Sequence, residues 1–284
     1  TLPAVGQSYN HPDRRLSAQT CKNWEPEINQ ETSVILSLQP VMGAISFSSG
    51  TGNARGATEW NGSIYKVTGS TLCRVDSAGT QVVIGTIAGT GRCVFPASEH
   101  YLVITSSGHS YAYDGTTLTA RTGIESPNYT AYINNQWIDQ GTGGRFSTTD
   151  AGDPFTTNAL SYATAEANGD VLVRPYVFRD VVYMFGAKTI EQWYNSGAGD
   201  PPFDRIEGGT IPKGLLAADS VSNNDNFIYF LGDDKKVYQL FGAQVNAVST
   251  TAIESELASI SNLSEAIGFC YVARGQYRYR LYIP

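Results

Sequence analysis

Short apolar strands joined in pairs by tight turns recur along this chain, and this repeat constrains the fold more than any other feature. Within a pair, apolar and polar side chains alternate as they do in half-buried β-strands, and glycine, asparagine or aspartate bounds the strands. The predicted pairs are 64–67 with 72–75, 101–104 with 109–113, 131–133 with 137–138 and a return at 145–147, 181–185 with 189–194, 227–231 with 236–240, and 268–272 with 276–283.

The spacing between these pairs is about 40–50 residues, which is the period of the blades in a β-propeller. A short antiparallel sheet cannot bury both of its faces alone, whereas radial stacking against neighbouring sheets buries them and leaves only short edges. A β-sandwich would also supply strands at this density, but it would not produce the longer period. The sequence therefore predicts an all-β fold, a β-propeller of repeated antiparallel hairpins over residues 54–284.

Residues 1–53 are predicted to form an extended N-terminal arm and linker. Four prolines interrupt any long element in the first forty residues, and Trp24 is expected to anchor the segment 21–26. At the other end, the chain stops at Pro284 inside an apparent strand. We therefore expect the propeller domain to be incomplete at its C-terminus.

One segment has the pattern of a helix. Thr251 and Glu254 have the spacing of a capping box, and Ile253, Leu257 and Ile260 follow at helical spacing. This pattern predicts one short helix near residues 252–260 that packs through its apolar face.

The charge balance argues against a protein that wraps nucleic acid. The net charge is −7, and no run of lysine and arginine occurs that could neutralise phosphates. A net-acidic surface is compatible with DNA that slides past without sticking. No apolar stretch approaches the length of a membrane span.

Cysteine and histidine are sparse and widely separated. None of the pairs among the four cysteines, Cys21, Cys73, Cys93 and Cys270, has the spacing of a zinc site or a redox dithiol, and the chain has three histidines. We therefore expect reduced cysteines, no bound metal and no cofactor.

The sequence contains no P-loop, no dinucleotide-binding glycine motif and no Gly-x-Ser-x-Gly elbow. A pair of carboxylates for glycoside hydrolysis could come from Glu125, Asp139, Asp150, Glu166, Asp170 and Glu191, but nothing in the sequence brings two of them together. The arginines that could hold a substrate carboxylate are scattered: Arg14, Arg15, Arg55, Arg92, Arg145 and Arg179.

The segment 148–155 is a candidate structural turn. Thr148, Asp150, Gly152 and Phe155 resemble the Asp box of sialidase-type propellers, a turn-stabilising motif that lies away from the active site in that family. We expect Asp150 to accept backbone hydrogen bonds across the hairpin, as aspartates in Asx turns do.

Several motifs, mostly in the second half of the chain, resemble one family of phage proteins in their order. They are YATAE at 162–166, GAKTIEQWY at 186–194, DPPFDRI at 200–206, IPKG at 211–214, FLG at 230–232, VY at 237–238, AIE at 252–254 and YVARGQY at 271–277. The chain thus resembles the packaged-DNA-stabilisation family of short-tailed bacteriophages (podoviruses), the tail hub or nozzle proteins. The resemblance covers roughly residues 54–284.

The resemblance implies a structural virion protein without catalytic or cofactor-binding residues. Members of that family are described as β-propellers that form a hexameric ring in the virion tail. They close the channel, stabilise the packaged DNA until genome ejection, and connect the head-to-tail adaptor to tail fibres or spikes and the tail needle. The implied partners are therefore a homohexamer, these tail proteins, and genomic DNA that passes without sequence-specific binding; assembly is expected in the host cytoplasm.

A tail hub should present neutral or acidic side chains to its channel, because basic side chains would hold phosphates. Carboxylates in hairpin loops are the candidates for this channel-facing set: Asp200, Asp204, Glu207, Asp233 and Asp234.

Two alternative functions remain open from the sequence. A glycan-binding or glycan-hydrolysing propeller of the sialidase type should have a hub pocket with converging carboxylates and an arginine cluster. A generic interaction propeller of a bacterial host should behave as a monomer.

Overall fold

Antiparallel sheets follow one another along the chain from Ala54 to Tyr282 in the computed structural model. The structure describes residues 45–158, 160–165, 169–273 and 275–284, and the backbone of 9–10, 18–19, 24–28 and 36–40. The chain forms two units. The first comprises Thr1–Phe47 with Ser249–Ser261, and the second comprises Ser48–Val248 with Asn262–Pro284.

The described part of the first unit contains paired strands and one helix. Strands β1 (Tyr9–Asn10) and β2 (Ala18–Gln19) pair antiparallel, and so do β3 (Trp24–Ile28) and β4 (Leu36–Pro40). These strands lie within the segment 1–53 that is predicted to be an extended arm and linker. Pro26 lies within β3 opposite Leu38, which is possible because a strand of a two-stranded sheet has an unpaired edge where a missing N–H costs little.

The second unit is built from successive sheets, which we call blades I to VI. Blade I contains β5 (Ala54–Trp60), β6 (Ser63–Thr68), β7 (Thr71–Val75) and β8 (Gln81–Thr86). Blade II contains β9 (Leu102–Ser106), β10 (His109–Tyr113) and β11 (Leu118–Ala120), with bridges from Val94 and Ala97 to β9. Blade III contains β12 (Thr130–Ile133), β13 (Gln136–Gln140), β14 (Arg145–Thr148) and β15 (Tyr162–Thr164).

Blade IV contains β16 (Leu172–Phe178), β17 (Val181–Gly186), β18 (Ile190–Asn195) and β19 (Phe203–Arg205). Blade V contains β20 (Ser222–Asn223), β21 (Ile228–Leu231), β22 (Val237–Phe241) and β23 (Gln244–Ala247), and blade VI contains β24 (Ile267–Ala273) and β25 (Gln276–Tyr282). Short 3₁₀ helices at Ala218–Ser220 and Leu263–Glu265 precede the last two blades. This all-β propeller confirms the predicted fold class, and each predicted hairpin corresponds to adjacent strands of a blade.

Tight hairpin turns use residues that tolerate positive φ. Asn61 and Gly62 have φ values of 47° and 71° between β5 and β6, and Asn134 and Asn135 have values of 48° and 67° between β12 and β13. Positive φ at both central residues is the geometry of the type I′ turn, whose twist matches that of the flanking strands. The asparagine and glycine signals in the sequence therefore set the hairpin ends.

Apolar clusters fill the spaces between successive blades. Between blades I and II the cluster includes Val67, Leu72 and Ile104, and between blades III and IV it includes Phe146 and Met184. The cluster between blades IV and V is also large, and it includes the following buried residues: Phe185, Ile190, Ile228, Phe230 and Leu240. Blades II and III share a smaller cluster, formed by Val103, Ala112 and Trp137.

Helix α1 runs from Thr251 to Ser259, close to the predicted range. Its N-cap residue is Thr250, which makes no side-chain capping hydrogen bond, so the predicted capping box is wrong. The Glu254 carboxylate instead accepts a hydrogen bond from the Ser249 hydroxyl at 3.0 Å. The buried residues are Ala252 and Leu257, whereas Ile253 is 44% exposed, so the predicted apolar face is only partly correct.

Candidate functional site

Four polar side chains from four different blades meet in one cluster, which we call the hub cluster: Arg92, Tyr129, Arg174 and Asp219. Arg92 precedes the segment that bridges to β9, Tyr129 precedes β12, Arg174 lies in β16, and Asp219 lies in the 3₁₀ helix before β20. All four belong to the first strand of a blade or to the segment leading into it. The inner edges of radially stacked sheets converge on the centre, so a cluster drawn from four blades marks the hub of the propeller.

Asp219 lies between two guanidinium groups at the hub. Its carboxylate oxygens are 3.9 Å from Arg92 Nε and 3.8 Å from Arg174 Nη1. Arg174 also donates a hydrogen bond to the carbonyl oxygen of Ala218 at 2.9 Å and lies over the Tyr129 ring at 5.1 Å. Both ion-pair distances exceed the roughly 2.7–2.9 Å of a hydrogen-bonded ion pair. The single carboxylate is therefore shared loosely by two cations.

Burial and charge keep the phenol of Tyr129 protonated. Burial is the main cause that raises the pKa of Tyr129 to about 12, the negative charge of Asp219 adds to it, and the positive charge of Arg174 opposes it. At neutral pH, Tyr129 therefore stays an O–H donor and supplies no negative charge to the hub.

Two cavities open beside this cluster. The smaller, of about 240 Å³, is lined by Arg92, Arg174 and Asp219 together with backbone and apolar groups of blades I, II and VI. The larger, of about 940 Å³, shares Arg92 and Asp219 and extends to Phe269 and Tyr282 of blade VI. The hub is therefore open to small molecules; the charged groups of the smaller cavity are two arginines and Asp219, and the exposed Glu265 also lines the larger one.

The proposed catalytic carboxylates have separate structural roles. Glu125 pairs with Arg145 at 2.7 Å, Asp139 pairs with Arg121, and Glu191 accepts a hydrogen bond from Trp193 Nε1 at 3.0 Å. Asp170 accepts hydrogen bonds from the backbone N–H groups of Val171, Lys188 and Thr189, whereas Asp150 is exposed and Glu166 lies outside the described residues. In the described contacts, no two of these carboxylates share a partner.

The arginines named from the sequence are also dispersed. Arg55 is buried and donates to the carbonyl oxygens of Gly69, Ile87, Ala88 and Gly91 and to the Ser106 hydroxyl. Arg145 pairs with Glu125, and Arg179 lies on the exposed turn before β17. Of the described arginines in this set, Arg92 lines both hub cavities and Arg55 lines the larger one. Arg14 and Arg15 lie outside the described residues.

The segment 148–155 forms a turn, but its capping carboxylate differs from the one expected. Asp153 accepts hydrogen bonds from the Phe155 N–H at 2.8 Å and the Thr156 hydroxyl at 2.6 Å. Asp150 contributes only its backbone, with its N–H donating to the Thr156 carbonyl oxygen at 2.9 Å. The two aspartates differ because Asp153 is placed two residues before a free N–H, as an Asx turn requires.

The remaining residues of this turn hold it against its neighbours. The Thr148 and Ser161 hydroxyls lie 2.6 Å apart, and Gly152, with a φ of 82°, donates its N–H to the Asn135 carbonyl oxygen. The Phe155 ring contacts Tyr101 of the neighbouring blade edge-on at 6.0 Å. The turn therefore attaches blade III to blade II.

The five candidate channel acids fall into two groups. Asp233 and Asp234 lie in the turn after β21 and form ion pairs with Lys188 at 3.2 Å and Lys213 at 2.9 Å. Asp200, Asp204 and Glu207 are exposed around β19, and the structure records no ion pair for them within its described part. Only the second group therefore contributes unpaired negative charge.

The paired acids change the titration of their partners. The hydrogen bonds that the Lys213 ammonium donates to Tyr238 and Asp234, reinforced by the Asp234 charge, raise the pKa of Lys213 far above its usual range. Burial opposes ionisation of Asp234, but hydrogen bonds from Tyr238 and Lys213 hold its pKa below the usual value. This pair therefore stays ionised and mutually neutralised over the whole physiological range.

The polar centre of the blade II–III junction was missed by sequence reasoning. Arg121 follows β11 and binds Asp139 of β13, and both side chains are fully buried. Arg174 and Asp219 of the hub cluster were missed as well. The partners in these pairs are distant in sequence or lie on different blades, so no local spacing could have identified them.

The described residues contain no group of three or more histidine, cysteine, aspartate and glutamate side chains that could hold a metal ion. Cys73, Cys93 and Cys270 are free cysteines, and Cys21 lies outside the described part. Of the helices in the part described, none is long and apolar enough to cross a membrane.

Comparison with known proteins gives a family match over nearly the whole chain. The model described as "Phage_stabilise: Bacteriophage P22 Gp10, beta-propeller" matches residues 2–283. A comparison with curated proteins finds no match.

Similar solved structures share the fold at low sequence identity. The Cps50 (Swd1) β-propeller domain of Myceliophteria thermophila has a TM-score of 0.54 at 10% identity, covering 75% of this chain and 79% of that one. The KlHsv2 protein with loop 6CD replaced by a Gly-Ser linker has a TM-score of 0.53 at 12% identity, covering 86% and 79%. The computationally designed Ika8 protein has a TM-score of 0.52 at 10% identity, covering 82% and 70%. At this identity the likeness concerns the fold alone.

Proposed function

Because the chain belongs to the phage-stabilisation family of bacteriophage P22 Gp10 β-propellers, we propose that it is the tail hub, or nozzle, protein of a short-tailed phage. The match over residues 2–283 is the single observation that carries this proposal. In this role the protein closes the tail channel and stabilises the packaged DNA. It connects the head-to-tail adaptor above it to the tail fibres or spikes and the needle.

The proposed working form is a closed ring of identical subunits, with six copies as in the family it resembles. Identical head-to-tail contacts close only at a fixed rotation between subunits, so each subunit must present a rigid shape. The buried clusters between successive blades support such rigidity, because close-packed interiors resist deformation. Assembly is proposed to take place in the host cytoplasm.

The proposed contact with DNA is weak and independent of sequence. A net charge of −7 disfavours binding of phosphates, and the exposed acids Asp200, Asp204 and Glu207 are proposed to face the channel. Asp233 and Asp234 are the weaker members of the proposed set, since Lys188 and Lys213 already neutralise them.

A structural role agrees with the placement of the carboxylates. Glycoside hydrolysis of the usual kind needs two carboxyl groups on either side of the scissile bond. The smaller hub cavity is lined by one carboxylate, Asp219, and the larger one by Asp219 together with the exposed Glu265. The other described candidates are exposed or engaged in structural contacts away from the hub. This arrangement supports the proposal of a protein without catalytic activity.

Deletion of the gene from the phage tests the function directly. Heads should fill with DNA during assembly but lose it, so that nuclease digests most of the genome in purified particles. Supplying the protein from a plasmid should restore nuclease protection. Particles that keep their genomes without the protein would contradict the proposal, and so would purified protein that stays monomeric both alone and in the presence of the adaptor.

A further inference from the structure

The smaller hub cavity has an excess of positive charge that the protein itself does not neutralise. Its charged lining consists of Arg92, Arg174 and Asp219, so two guanidinium groups face one carboxylate. The buried guanidinium of Arg55 adds a third positive charge nearby, since its Nε donates to the Gly91 carbonyl oxygen at 2.7 Å. All described acceptors of Arg55 are neutral carbonyl and hydroxyl oxygens. In a chain of net charge −7, the smaller hub cavity is therefore locally positive, and the Glu265 carboxylate lines only the larger cavity.

Donor groups at this cavity are also unused. Within the described contacts, Arg92 makes only the 3.9 Å approach of its Nε to Asp219, so its terminal Nη groups donate no hydrogen bond. Arg174 uses Nη1 for the Ala218 carbonyl oxygen, and the described contacts include no hydrogen bond from its other nitrogens. The side chains are 37% and 15% exposed, so these donors reach solvent in the cavity.

We propose that this cavity binds one oxyanion, a carboxylate or a phosphate group, through Arg92 and Arg174. Planar guanidinium groups present paired donors that match the oxygens of carboxylate and phosphate. The cavity volume of about 240 Å³ accommodates such a group together with several waters, each of which occupies about 30 Å³ in the liquid. The protonated Tyr129 phenol adds no negative charge that would oppose the ligand.

Asp219 sets the affinity of this site. It lies within 4 Å of both arginines and so competes with the incoming anion for their charge. Removing the Asp219 charge should therefore strengthen anion binding, whereas removing the charge of Arg92 should weaken it. A purely structural ion-pair cluster would show neither response.

The test is calorimetric titration of the full chain with inorganic phosphate at constant ionic strength, kept by chloride. A second titration uses N-acetylglutamate, so that the two arms separate phosphate from carboxylate as the preferred group. We expect saturable binding at one site per chain. Arg92→Gln should weaken it by roughly tenfold or more, and Asp219→Asn should tighten it by about threefold or more, in keeping with charges about 4 Å apart at a partly buried site.

Arg74→Gln is the matched control, because Arg74 is an exposed arginine on β7 outside both cavities and its removal changes the net charge equally. Binding by this variant should equal that of the wild type. Absence of saturable binding to the wild-type chain, or equal losses in Arg92→Gln and Arg74→Gln, would overturn the proposal. If Arg92→Gln does not fold, Asp219→Asn decides: tighter binding supports the site and unchanged binding excludes it.

Discussion

Arg121 and Asp139 form a bidentate ion pair across the blade II–III junction, with Nη1–Oδ1 and Nη2–Oδ2 distances of 2.9 and 2.7 Å and both side chains fully buried. Ser110 accepts a further hydrogen bond from Arg121, and Thr130 donates one to Asp139. The apolar cluster at this junction is small, so the polar network takes over part of its role.

Loss of one partner of this pair should destabilise the fold strongly. Asp139→Asn or Arg121→Met leaves a buried charge without compensation, which costs about 3–5 kcal/mol in the free energy of unfolding. Urea unfolding followed by tryptophan fluorescence measures the change. The double variant should lose clearly less than the sum of the two single losses, because it removes both charges. Additive losses would show that the pair is not coupled.

The turn at 150–156 contains two aspartates with different structural roles. Asp153→Ala should lower the free energy of unfolding by about 1–2 kcal/mol, because the Phe155 N–H and the Thr156 hydroxyl lose their acceptor. Asp150→Ala, the matched control in the same turn, should change it by less than about 0.5 kcal/mol because its side chain is exposed. If urea unfolding showed a larger loss for Asp150→Ala than for Asp153→Ala, Asp150 would be the capping residue after all.

The same aspartate should make stability depend on acid pH. The hydrogen bonds from Thr156 and from the Phe155 N–H hold the pKa of Asp153 below its usual value. The stabilisation from the charged form is therefore complete above the unfolded-state pKa of about 3.9 and is lost as the pH falls through the lower folded-state pKa. The stability difference between wild type and Asp153→Asn should shrink on going from neutral pH to about pH 2. A constant difference would contradict this linkage.

Packing between blades IV and V depends on Phe230. Its ring is fully buried and meets Phe185 edge-on at 5.3 Å. Phe230→Ala should cost about 3–5 kcal/mol in the free energy of unfolding, because it removes the ring and leaves a cavity. Phe241→Ala, at a ring that is 50% exposed, is the control and should cost much less. Similar costs for the two variants would mean that the blades do not pack through this cluster.

Charge on the proposed channel wall should control the rate of DNA ejection. Reversal of two exposed acids, Asp204→Lys with Glu207→Lys, should slow ejection from purified particles, because basic groups bind phosphates. Added salt should relieve the delay, since counterions compete for the same phosphates. Asp180→Lys, at an exposed acid in the turn before β17, is the control. An unchanged rate of DNA ejection in the double variant would contradict the placement of Asp204 and Glu207 on the channel wall.

Local signals predicted the hairpins well. Asn61 with Gly62, and Asn134 with Asn135, mark the positions of two hairpin turns. The alternation of apolar and polar residues separately indicates strand pairs such as β6 and β7. The outer strands β8 and β11 were not predicted. Each of them is an edge strand that pairs with a single neighbouring strand, and apolar and polar residues alternate only weakly along it. Their pairing therefore depends on the rest of the blade.

The polar sites depended on contacts that local sequence does not encode. Asp150 and Asp153 both fit a turn aspartate, and only the backbone conformation shows that Asp153 faces free N–H groups. Asp219 meets Arg92 and Arg174 because four blades converge at the hub. Such a meeting follows from closure of the propeller rather than from spacing along the chain.

The polar junction between blades II and III has a mechanical consequence. Hydrogen bonds weaken steeply when their angles change, whereas apolar contacts have no preferred direction. Blades IV and V are held by close-packed apolar side chains, whose contacts have no preferred direction, whereas the bidentate pair of Arg121 and Asp139 also fixes the angle between blades II and III. We therefore expect this junction to resist a change of angle between its two blades more strongly than an apolar junction of the same small size would.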